Sequence, residues 1–194
     1  MNTPIYEEAH AGHTIKIYHD TDAESPRAWD NLGTIICGHS RYRLGDDHSY
    51  DDAHTFLCDL CGISQDTDLS VDQLIERAER HAVLLSVYLY DHSGLAMNTS
   101  GFHCPWDSGQ VGFIYATLDT IRKEYRVVRV SAALREKVAN VLKQEVATYS
   151  DYLSGNVYGY VVEAEDEEVD ACWGLIGEYD GYCLQEALSS IGQE

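Results

Sequence analysis

Residues 144 to 194 contain no lysine and no arginine, and basic side chains are scarce throughout: 13 against 33 acidic ones, for a formal charge of -20. Direct binding of nucleic acid needs cationic groups that displace counterions from phosphates, so a chain with this balance is not expected to bind DNA or RNA itself. Only three prolines occur, and no Pro-, Gly- or Ser-rich stretch reads as a linker. No apolar run approaches the length needed to cross a bilayer. The opening MNTPIYEEAH lacks the basic and then apolar regions of a secretion signal, so the expected location is cytoplasmic. Six cysteines in 194 residues are too few for a disulfide scaffold, and each is expected as a thiol in or near a core. The glycines at 94, 101, 109 and 112 follow no phosphate-loop or dinucleotide pattern, no GKS or GKT occurs, and there is no GxSxG elbow.

What is present suits a folded domain. At 44% hydrophobic, the chain can bury a core without staples, and a single domain over 1–194 is expected. Thr14–Tyr18 and Leu32–Cys37 read as strands, as do His81–Tyr90, Gln110–Thr117, Val157–Glu163 and Ala171–Ile176. Tyr50–Cys61, Ser70–Arg80, Ser131–Tyr149 and about Tyr182–Ser190 read as helices. In the third, Ala133, Leu134, Val138, Val141, Leu142, Glu145 and Val146 repeat at three- and four-residue spacing behind a capping Ser131. With no regular βαβ alternation, the expected class is α+β: an antiparallel or mixed sheet of about five or six strands with helices packed on it.

Three groups of residues invite chemistry. Cys58 and Cys61 form a CxxC with Cys37, His39, His48 and His54 nearby in sequence. Zinc usually needs a second close pair, and on a helix the i, i+3 cysteines also describe one buried face. The long connection 91–107 holds Asp91-His92-Ser93 and His103-Cys104-Pro105-Trp106-Asp107, nucleophiles beside bases. Catalytic partners are typically gathered from distant segments, and the alternative is a loop anchored by Phe102 and Trp106, with Asp91 and Asp107 capping backbone amides. Asp46, Asp47, Asp51 and Asp52 lack the ordered ligands of a calcium loop and read as solvated charge. No catalytic residue, cofactor or metal is assigned.

The charge distribution says more. Residues 121–143 carry seven basic and two acidic side chains, a local +5, and residues 144–194 carry twelve acids unopposed. Glu163, Glu165, Asp166, Glu167, Glu168 and Asp170 place six carboxylates within eight residues, in what reads as an acidic turn between two strands, and Glu178 and Asp180 follow. These eight are the candidate partner-binding residues. Their spacing suits a surface that occupies a basic groove built for DNA or RNA, so the expected partner is a basic nucleic-acid-binding protein.

The runs YHDTDAESPRAWDNLGTIICGHSRYRLGD (18–46), YLYDHSG (88–94), FHCPWDSGQVGFIY (102–115), EVATYSDYLSGNVYGYVVE (145–163) and CWGLIGEYDG (172–181) together resemble an acidic protein family carried by phages and prophages. The resemblance spans nearly all of the chain and carries no catalytic residue. It implies a phage context, in which small acidic proteins include inhibitors of host defence, of anti-CRISPR and antirestriction type, that imitate DNA. The expectation is therefore a non-enzymatic inhibitor of a host defence system. The alternative is a metal- or thiol-dependent enzyme using loop 91–107.

Overall fold

The computed structural model describes residues 3–191. The class is α+β, with every strand pairing antiparallel, and the strands fall into two four-stranded sheets. The chain divides into two compact units: residues 1–28 with 148–194, and residues 29–147.

The first unit holds β1 (Tyr6–His10), β2 (His13–His19), β7 (Val157–Ala164) and β8 (Glu167–Ile176), in that spatial order. Alternation along β2 and β7 sends Ile15, Ile17, Tyr158, Tyr160 and Val162 to one face. There they bury against Cys183 and Ala187, with Leu184 and Leu188 beside them. Those last four residues belong to a π-helical turn (Tyr179–Cys183) and to α5 (Leu184–Ile191). The last helix therefore begins two residues later than its sequence suggests, because the π turn holds Tyr179 against Tyr6 and Tyr158. Strand β1 had no signal of its own: YEEAH exposes four of its five residues and exists as the edge partner of β2.

The second unit's sheet runs β3 (Thr34–Cys37), β6 (Ser108–Thr117), β4 (Ala82–Asp91), β5 (Leu95–Asn98). Helices α1 (Ala53–Cys61) and α2 (Val71–Ala78) cover it through Phe56, Leu57, Cys58, Leu74 and Ala78, which bury against Ile36 and Phe113. Helix α1 begins at Ala53, after Asp52, whose carboxylate accepts the Thr55 amide. A capping box joins Ser70 and Gln73 at the start of α2. Gly112 is where β3 and β6 meet most tightly: a Cβ there would lie 1.8 Å from the Ile36 carbonyl oxygen.

The predicted pairing of segments 81–90 and 110–117 is the β4–β6 ladder. Strand β5 and helix α3 (Leu118–Tyr125, capped by Thr117) are additional elements. Helix α4 runs Ala132–Leu153, with the Ser131 hydroxyl accepting the Leu134 amide and Val138, Leu142 and Val146 buried. Glu145, on the same stripe, turns its carboxylate to the backbone amides of Leu32 and Gly33 at 2.9–3.2 Å.

Candidate protein-interaction surface

Formal charge divides between the two units. The first carries 16 acidic side chains against only Lys16 and Arg27, which is -14; the second carries 17 against 11, which is -6. The local basic excess at 121–143 is put to work inside the second unit. Arg135 donates to the carbonyls of Glu79 and Ala82, Lys137 lies 5.1 Å from the centre of the Tyr125 ring, and Arg122 pairs with Asp119.

In the first unit the acidic run is a tight hairpin rather than a long turn. Glu167, Glu168 and Asp170 lie within β8, and only Glu165 and Asp166 form the loop, between the paired residues Ala164 and Glu167. Both loop residues have positive φ, 51° and 67°, the left-handed region that two-residue hairpin turns of type I′ require and that Asn-Gly usually supplies. Reading the run as a turn failed because carboxylates disfavour strands in isolation, whereas here β7 supplies the ladder.

The six carboxylates of the hairpin have different occupations. Glu163 pairs with Lys16 at 2.6 Å, and its hydrogen bond raises the lysine's pKa. Asp170 accepts the Tyr160 hydroxyl at 2.9 Å. Burial, and then this bond, push the phenol up to about 12. Glu165, Asp166, Glu167 and Glu168 are exposed. Glu168 stands directly opposite Glu163, a like-charge pair that destabilises a ladder. Glu178 and Asp180 are exposed as well, but beyond the other end of β8, roughly 30 Å from the hairpin tip at the rise of an extended strand. The eight candidates therefore make two acidic ends, of which the hairpin is the denser.

The opposite face of the same sheet was not singled out in the sequence. Tyr18, Gly159 and Trp173 form one row across it, and Glu7, Lys16, Val161 and Ala171 form the next. The Trp173 ring lies where a Cβ on residue 159 would stand, 2.2 Å away, and 6.0 Å from the Tyr18 ring. Half of Trp173 is solvent-exposed. The signal available in the sequence was the glycine of VYGYVV, a position in a strand where another group comes close.

In the second unit, two of the chemistry-bearing groups of loop 91–107 meet at a third. The Cys104 thiol and His92 Nδ1 both face the Asp107 carboxylate, at 3.3 and 3.5 Å. Asp91 binds Arg41 and Tyr42 rather than capping amides. Phe102 packs on Tyr90 as an anchor, but Trp106 is 92% exposed and anchors nothing. Cys58 is buried on α1, and the Cys61 thiol faces the Leu74 carbonyl. Among the described residues no cluster of His, Cys, Asp and Glu is arranged to hold a metal. The four loop aspartates have separate occupations: Asp46 accepts the Ile35 amide, Asp47 pairs with Arg43, Asp51 is exposed, and Asp52 caps α1. A cavity of about 600 Å³ is lined by His39, His48, Tyr50, Asp51 and Phe56 among others, and not by loop 91–107.

All six cysteines are free thiols, and burial pushes that of Cys183 up to about 11. No helix among the described residues is long and apolar enough to cross a membrane. No family model, curated protein or solved structure matches this chain.

Proposed function

We propose that this protein is a non-enzymatic, phage-encoded inhibitor of a host defence system, of anti-CRISPR or antirestriction type. Its acidic first unit occupies a basic surface on which the defence complex would otherwise bind DNA or RNA. One observation carries the reading: the β7–β8 hairpin concentrates carboxylates in an arrangement that costs stability locally. Two acidic side chains hold left-handed backbone at the tip, and Glu168 faces Glu163 across the ladder, a repulsion that Lys16 offsets only in part. Features that break local folding rules without a structural return mark functional positions.

Electrostatic attraction between such a surface and a basic groove speeds the encounter and excludes partners of the wrong sign. It also weakens as salt shortens the Debye length from about 10 Å at 0.1 M to about 3 Å at 1 M. The test is a competition assay. Complexes captured by the tagged protein from host lysate are eluted at high salt, separated from it and loaded at low salt with labelled DNA or RNA, then challenged with the wild-type chain and with a variant carrying Glu165→Gln, Asp166→Asn, Glu167→Gln and Glu168→Gln. The wild type displaces the nucleic acid in a salt-dependent way, and the variant does not. Displacement by both proteins alike, or inhibition that leaves the nucleic acid bound, refutes the proposal.

A further inference from the structure

The aromatic row beside the acidic hairpin has the form of a site for a single cationic group. Trp173 sits in a bulge of β8 fixed by the Gly174 amide, which donates to Asp20 Oδ2 at 2.9 Å while Gly174 takes φ 77°. Gly159 leaves the space that the indole fills, so the ring is braced on one side by backbone and open on the other. Tyr18, tilted 30° from it, widens the platform. The adjacent row, about 7 Å along the strands, brings Glu7 and Lys16 to the same face, and Lys16 is neutralised by Glu163 from the row beyond. An exposed indole braced in this way, in a unit at -14, is complementary to a planar cation.

We propose that Tyr18 and Trp173 form the seat for an arginine of the basic partner, the guanidinium stacking on the open indole face. This rests on the reading of the first unit as a surface for a basic protein, and it names the group recognised there. Arginine is favoured over lysine because the guanidinium is flat, weakly hydrated and stacks on aromatic rings, whereas the ammonium is a compact, strongly hydrated charge. Carboxylates alone would not distinguish the two.

The full chain, labelled with nitrogen-15, supplies three indole N–H signals, assigned by Trp→Phe variants at 29, 106 and 173. Nona-arginine and nona-lysine peptides are titrated at low salt. The Trp173 signal is expected to move, with the arginine peptide binding roughly threefold to tenfold more tightly, the range a partly desolvated cation–π contact supplies. Trp173→Leu erases that difference, and Trp173→Phe keeps most of it. Should Trp173→Leu not fold, Tyr18→Leu, which spares the Gly159 contact, reduces the difference by the same route. Equal affinity for the two peptides, or binding with a stationary Trp173 signal, overturns the platform and leaves the acidic hairpin standing. Binding of neither peptide overturns both.

Discussion

Replacing Glu165 with Asn and Asp166 with Gly separates what the hairpin tip does for folding from what it does for binding. Both residues occupy left-handed backbone, at φ 51° and 67°. That region costs an ordinary L-residue about 1–2 kcal/mol, because its Cβ crowds the following carbonyl. Glycine removes the cost at 166, and asparagine lowers it at 165 through local hydrogen bonding. Loss of two charges also relieves repulsion along the run, and the extra freedom of glycine in the unfolded chain offsets part of the gain. The net expectation is a stabilisation of roughly 1–2 kcal/mol, or about 2–8 °C in melting temperature for a chain of this size. Urea and thermal unfolding at low and high salt measure it, and the conformational part persists when salt screens the charges. In the competition assay the same variant should displace nucleic acid less well. A variant no more stable than wild type would refute the strained turn. A stabilised variant with undiminished displacement would show that the tip is merely a poor turn and that its charge has no role.

Two further outcomes concern the scaffold. Glu145→Ala should destabilise the second unit by about 2–3 kcal/mol in urea unfolding, since it leaves the amides of Leu32 and Gly33 without their carboxylate acceptor, and Glu145→Gln should recover part of the loss. Folded Tyr160 keeps its proton up to about pH 12, whereas an unfolded tyrosine releases its proton near pH ~10. Wild-type stability should therefore fall first as pH rises past ~8.5, where an unfolded thiol ionises while buried Cys183 is held up to about 11, and further between pH ~10 and about 12; Tyr160→Phe should shallow only the second part, without abolishing it, because Tyr50 is also raised to about 12. Identical alkaline slopes in the two proteins would contradict the assignment.

The parts of the fold legible in the sequence were those where one local signal sufficed. The stripe of Val138, Leu142 and Val146 behind Ser131, the capped start at Ser70 and the apolar run from Ala82 all appear where their patterns place them. The elements missed depend on partners. Strand β1 is polar and pairs only because β2 presents an edge, and β5 is four residues long and held by β4. The two-sheet division was hidden because β2 pairs with β7, well over a hundred residues later, and no local pattern encodes a pairing at that separation. Among site residues the carboxylates were legible as a charge tally, but their roles were not. Glu163 and Asp170 are engaged by Lys16 and Tyr160, contacts made across strands. Trp173 escaped notice because its meaning lies in Gly159 on the neighbouring strand.

The uneven charge has a consequence for stability that also bears on function. A charge of -14 on residues 1–28 and 148–194 repels itself in the compact state, while the second unit spreads -6 over residues 29–147. Added salt should therefore slow hydrogen exchange at the β7 and β8 amides more than at those of β4 and β6, as the Debye length shrinks from about 10 Å at 0.1 M toward about 3 Å at 1 M. A basic partner would relieve the same repulsion by supplying countercharge, so its binding should protect the same amides, at low salt, that salt alone protects. The repulsion then becomes part of the driving force for association, because the complex removes a cost that the free protein bears. Exchange measured with sodium chloride in place of the partner tests this step. Uniform protection across both sheets would show that the repulsion is already dissipated into solvent, and the hairpin would then have to bind by its local geometry alone.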